Sequence, residues 1–95
     1  MGYRFDVFVG SDNSSRRIDH HYLGRVVSWA SSVFPNGYTL TRSRGYFEGT
    51  QEDSLILSVI SDEDIDLTEK VTELKSELRQ KSIIVSKYSV QLETV

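Results

Sequence analysis

Four stretches of strand-like alternation, two stretches of helical periodicity and a hairpin between the helices predict an α+β domain. The order β-α-β-β-α-β, built as two interleaved βαβ units with right-handed crossovers, predicts the ferredoxin-like sandwich: one four-stranded antiparallel sheet with two helices on one face. At 95 residues the chain has room for a single domain, residues 1–95, and no second one.

The first strand spans residues 3–9, where Tyr3, Phe5, Val7 and Val9 alternate with Arg4, Asp6 and Phe8. A run of turn residues, Gly10 to Ser15, separates it from a helix whose stripe is Leu23, Val26, Val27, Ala30 and Val33, with Asp19 or Ser15 as N-cap. Trp29 falls one position off that stripe and is expected to pack on the helix flank. Pro35 disfavours helix at Phe34, and Asn36-Gly37 turns the chain. Residues 38–47 form the second strand, with Tyr38, Leu40, Arg42, Arg44 and Tyr46 on one face. A polar connection over 48–53 leads to a third strand at 55–60. Asp66 and Glu69 have capping-box spacing ahead of a second helical stripe, Leu67, Val71, Leu74 and Leu78. Residues 83–92 complete the sheet.

Composition sets limits on function. The 38% apolar and 26% charged content is that of a folded globular chain. With no cysteine there is no disulfide framework, no thiol nucleophile and no cysteine-ligated zinc. No apolar run spans a membrane, and no signal-peptide core follows Met1, so the expected location is cytoplasmic. A net charge of −3 argues against duplex DNA. That charge is uneven. Residues 1–47 hold six arginines against three acids, and residues 48–95 hold five basic groups against eleven acids.

Arginine suits carboxylate and phosphate. Loop 10–17, at a helix start, offers hydroxyls, backbone N–H groups and two guanidinium groups, the chemistry of an anion site. The expected ligand-binding residues are Ser11, Asn13, Arg16, Arg17, His20, Tyr38, Arg42, Arg44 and Tyr46. In this set the arginines meet negative charge, Ser11 and Asn13 donate hydrogen bonds, and Tyr38 or Tyr46 stacks on a ring. No nucleotide fingerprint is present, no catalytic residue or cofactor is identified, and His20-His21 lacks metal-ligand spacing. The acids Glu48, Glu52 and Asp53 are expected to solvate a hairpin loop. Arg44-Gly45-Tyr46-Phe47 has the basic-Gly-aromatic pattern of an RNA-recognition strand, but on the second strand rather than the third.

Phe34-Pro35-Asn36-Gly37-Tyr38-Thr39, Arg44-Gly45-Tyr46-Phe47, Glu52-Asp53-Ser54-Leu55 and Gln80-Lys81-Ser82-Ile83-Ile84 together resemble a family of small uncharacterised bacterial domains with an F-P-x-G-x-T signature. The resemblance implies a ferredoxin-like fold and no assigned activity. Arg42, Arg44 and Leu55 depart from its pattern.

The sheet face without helices is expected to carry Phe8, Ile84, Tyr88 and further apolar side chains, more than a small monomer exposes. A homodimer or higher homo-oligomer through that face follows. The function expected from the residues is a non-enzymatic, homo-oligomeric module that binds a small anionic, nucleotide-like ligand as sensor or sponge. The alternatives are a small dimeric enzyme using His20 or His21 as acid/base, and a protein-interaction module.

Overall fold

The computed structural model describes residues 1–95. Strand β1 (Gly2–Gly10) is followed by helix α1 (His20–Val33), strands β2 (Thr39–Phe47) and β3 (Thr50–Ser61), helix α2 (Thr68–Leu78) and strand β4 (Ile84–Val90). The sheet order is β2-β3-β1-β4, and every neighbouring pair is antiparallel. This is the ferredoxin-like arrangement that the pattern of elements predicts.

The alternation of β1 decides which side is dry. Phe5, Val7 and Val9 are buried against the helices, as are Leu55, Leu57 and Val59 of β3. From α2 the stripe Leu67, Val71, Leu74 and Leu78 closes on them. Each such side chain contributes about 1.5–3 kcal/mol by leaving water.

In α1 the buried positions are Tyr22, Val26, Trp29 and Ala30, whereas Val27 is exposed and Leu23 and Val33 are only partly covered. The apolar face is therefore rotated from the aliphatic stripe towards the two aromatics. Both aromatics bury because their polar ends find partners. The Tyr22 hydroxyl donates to the Gly10 carbonyl at 2.6 Å, and Trp29 Nε1 donates to the Lys70 carbonyl at 3.1 Å. Trp29 also meets Phe34 edge-on, with centroids 5.7 Å apart. Trp29 is thus a core residue that joins the two helices, not a flank residue.

Helix ends follow from local chemistry. Asp19 caps α1 by accepting from the Tyr22 N–H at 2.8 Å, which settles the start in favour of Asp19 over Ser15. The expected capping box at Asp66 and Glu69 does not form. Leu67 takes the N-cap position, so Glu69 stands one residue too close to the start, and Asp66 accepts from the Thr68 N–H instead. Helix α2 ends on Arg79 in the left-handed conformation, with the Gln80 N–H returning to the Lys75 carbonyl at 3.0 Å.

The connection between β2 and β3 is much shorter than the polar run 48–53 implies. Phe47 pairs with Thr50, leaving a two-residue turn of Glu48 and Gly49, both at positive φ (51° and 78°). Such a turn matches the twist of its strands, and it asks for positive φ at both central positions. Thr50 to Asp53 are strand, not loop. They pair only with β2, because the last β1–β3 pair is Gly10 with Ser54. The hairpin consequently extends four rungs, about 13 Å, past the body of the sheet. Thr50 and Gln51 meet water, whereas Glu52 and Asp53, nearer the sheet, are half-buried.

Candidate functional site

The end of the sheet where β1 stops gathers polar side chains from several elements. Loop 11–19 crosses it, held at both ends. On one side the Asn13 side chain donates to the Arg79 carbonyl at 2.8 Å, and Gln80 Nε2 donates to the Ser11 carbonyl at 2.6 Å. On the other side the Asp53 N–H donates to the Arg16 carbonyl, the Ile18 N–H donates to the Asp53 carboxylate, and Arg42 donates to the Ile18 carbonyl. The loop is therefore slung between the C-terminus of α2 and the base of the β2–β3 arm.

Within the loop, Asp12 plays the part expected of a bound anion. Its Oδ1 accepts from the Ser14 and Ser15 N–H groups, at 2.9 and 3.1 Å, and from the Ser14 hydroxyl. The Ser14 hydroxyl first, then the two backbone donors, hold the Asp12 carboxyl below its ordinary range. The two N–H groups that the sequence offers to a ligand are thus engaged by the chain's own carboxylate.

Beneath the loop lies a buried polar knot. Gln80 Nε2 donates to the Tyr22 hydroxyl at 3.0 Å while that hydroxyl donates to Gly10. Burial pushes the Tyr22 phenol up, against the opposing pull of the Gln80 bond. Ser11 is 3% exposed, and its hydroxyl has no hydrogen-bond partner. An unpaired buried hydroxyl is uncommon.

The expected ligand residues divide by position. Ser11, Asn13, Arg16, Arg17 and His20 lie on the loop or at the start of α1, and Arg42 reaches the loop through Ile18. Arg44 pairs in register with Asp53, so opposite charges stand side by side at the base of the arm. Tyr38 is not brought to this end. Its hydroxyl lies 2.9 Å from the Ser31 hydroxyl, beside the C-terminal half of α1, and along β2 it is about 13 Å from Arg42. Tyr46 is 72% exposed near the tip of the arm. Tyr22, Gln80 and Asp53 belong to the cluster without having been expected there. The signal for Gln80 was its place in the Gln-x-Ser element before the last strand.

The helix-free face carries Phe8, Ile60, Ile84 and Tyr88 as exposed residues, as the alternation of β1 and β4 implies. At its centre, however, stands a buried carboxylate. Asp6 is 6% exposed and accepts from Arg4 Nε at 3.0 Å and from the Ser58 hydroxyl at 2.8 Å. The Arg4 guanidinium in turn lies over the Tyr88 ring, 6.0 Å from its centroid. No cluster of three metal-ligating side chains forms, and no helix is long and apolar enough to cross a membrane.

Fold and site together define a small ferredoxin-like domain with a polar cluster at the end of its sheet. No family model and no curated protein matches the chain. Among solved structures, a phage SAM lyase in complex with S-methyl-5'-thioadenosine is similar, with 22% identity and a TM-score of 0.62 over 92% of this chain and 80% of that one. A phage SAM lyase in the apo state is similar with 22% identity and a TM-score of 0.63, over 99% of this chain and 92% of that one. These neighbours overturn the expectation of a non-enzymatic sensor or sponge. Two solved structures that share the fold across most of the chain are those of an enzyme, and one of them holds S-methyl-5'-thioadenosine, a nucleoside with no anionic group.

Proposed function

We propose that this chain is an enzyme that cleaves the sulfonium of S-adenosylmethionine and releases S-methyl-5'-thioadenosine. The observation that carries the reading is the shared fold over 92–99% of the chain with a phage SAM lyase, seen once with that nucleoside bound. In such a lyase step the bond between the sulfonium sulfur and the methionine Cγ breaks. The electron pair stays on sulfur, whose positive charge is lost. The four-carbon fragment leaves without water, either by losing a proton from Cβ or by closing on its own carboxylate.

Little acid–base machinery is required for the second route, because nucleophile and leaving group both belong to the substrate. What the protein supplies is orientation and charge. The end of the sheet offers both signs. Asp53 and Glu52 face the sulfonium and the ammonium group, while Arg44 and Arg16 meet the carboxylate. The apolar helix-free face is covered by a second copy of the chain, through Phe8, Ile60, Ile84 and Tyr88. Membership of the F-P-x-G-x-T group of domains rests on the residues quoted for it and is proposed on the same footing.

The test is incubation of the purified protein with S-adenosylmethionine, followed by mass spectrometry of the products. Formation of S-methyl-5'-thioadenosine together with a four-carbon product that contains no oxygen from labelled water supports the reading. Arg44→Ala and Asp53→Asn should each lower that rate at least tenfold. Intact S-adenosylmethionine after prolonged incubation with the folded protein overturns it.

A further inference from the structure

The two edges of the sheet are not alike. On the β2 edge stand Arg42 and Arg44, charges of the kind that keep an edge strand from recruiting another chain. The β4 edge has no such guard. Ile84–Val90 contains no proline or glycine and pairs with β1 without a bulge. It bears one charge, Lys87, which Asp64 neutralises at 3.1 Å. It is also uncovered on both faces. Ile84 and Tyr88, paired with Phe8 and Arg4, are 64% and 46% exposed on the helix-free side. Val85, paired with the buried Val7, faces the helix side and is still 37% exposed, so the helix layer stops short of β4.

That shortfall leaves a groove of about 640 Å³ between α2 and β4, with Phe5, Leu67, Val71 and Val85 among its lining. Its charges are sorted by end. Lys75 and Lys81 lie at the end where α2 finishes and β4 begins, and neither has an acidic partner. Asp64 and Asp66 lie at the other end, where α2 begins and Lys87 reaches Asp64. Asp64 and Lys87 cancel there, which leaves Asp66 as the net charge. A groove that is basic at one end and acidic at the other is complementary to a copy of itself running in the reverse direction.

We propose that β4 pairs antiparallel with β4 of a second copy, about a twofold axis normal to the sheet, so that two four-stranded sheets become one continuous sheet. The side chains choose the register. With Ser86 on the axis, Ile84 lies opposite the partner's Tyr88, an aromatic with a β-branched residue, and Val85 lies opposite the partner's Lys87. With Lys87 on the axis, two lysines would be directly opposed, which is destabilising. The axis also reverses one groove against the other and brings Lys75 and Lys81 to the side of the partner's Asp66. The contact is isologous and closes at two copies. It lies in the plane of the sheet, separate from coverage of the helix-free face, and it does not depend on the proposed reaction.

The chain contains no cysteine, so single engineered thiols report the contact cleanly. Val85→Cys and Lys87→Cys proteins are mixed under mild oxidation. The expected result is a disulfide between the two variants, in several-fold excess over the homodimers of either alone. Stacking of helix-free faces cannot form it, because both positions lie on the helix side. Light scattering at high micromolar concentration is then carried out on Ile60→Lys, which charges the helix-free face away from β4 and should show the mass of two chains. Adding Val85→Lys, which opposes the partner's Lys87, should return the mass to one chain, and adding Val85→Glu should keep it at two. A one-chain mass for Ile60→Lys with the circular dichroism of wild type, equal effects of Val85→Lys and Val85→Glu, or Lys87→Cys homodimers that outnumber the mixed disulfide would overturn the proposal.

Discussion

Gln80 and Tyr22 meet across the molecule: the side-chain amide that follows α2 donates at 3.0 Å to the phenol of α1, which donates in turn to the last carbonyl of β1. One hydroxyl therefore ties three elements at the end of the sheet. Tyr22→Phe removes it and leaves the Gly10 carbonyl without its side-chain donor. A loss of about 1–3 kcal/mol in urea unfolding is expected. The phenol also gives a pH signature. Its folded-state pKa is raised by burial above the ordinary 10.0, so the neutral form is favoured by folding. That contribution is complete below the ordinary value and is lost as pH rises through the folded one. Wild type should lose stability on the alkaline side of that window, and the Tyr22→Phe protein should lose less.

Asp12 acts at the other end of the pH scale. Its carboxyl is lowered by the Ser14 hydroxyl and by two backbone donors, so its contribution is present above the ordinary 3.8 and is lost as pH falls through the lower folded value. Asp12→Ala should melt below wild type at neutral pH, and the two melting curves should converge in strong acid. A difference that stays constant from neutral to acid would assign the effect to packing instead.

The rotated face of α1 is checked by a pair of substitutions. Trp29→Ala empties a core position shared with Phe34 and breaks the bond to Lys70, and a cost of about 3–5 kcal/mol is expected. Val27→Ala, on the expected stripe but exposed, should change stability by less than about 0.5 kcal/mol. Equal effects at both positions would contradict the packing described here.

The two-residue turn makes a prediction with the opposite sign. Glu48 holds φ at 51°, a region that costs a residue with a β-carbon about 1–2 kcal/mol and that asparagine accepts more readily. Glu48→Asn should raise stability by about 0.5 kcal/mol, and Gly49→Val, at φ 78°, should lower it, both read from denaturant midpoints.

Periodicity carried the architecture. Tyr3 to Val9 and the Leu67–Leu78 stripe each have one physical solution, and both appear as their spacing implies. The errors lie where partners outside the element decide the outcome. Trp29 and Tyr22 are amphipathic, and only the carbonyls of Lys70 and Gly10 reveal that they are buried. Thr50 to Asp53 read as loop because polarity speaks of solvent, not of backbone pairing. The site was legible only in part. Loop 10–17 stood out by its chemistry, but the use of its N–H groups by Asp12 is a matter of geometry. Gln80 lies 58 residues from Tyr22, and no spacing rule connects them.

Ile18 is gripped through both of its backbone polar groups by the base of the arm, its N–H by Asp53 and its carbonyl by Arg42. Ile18 directly precedes Asp19, the residue that starts α1. The base of the arm and the first turn of the helix are therefore joined through one residue, so loosening either bond to Ile18 frees the start of α1 and the loop above Tyr22 together.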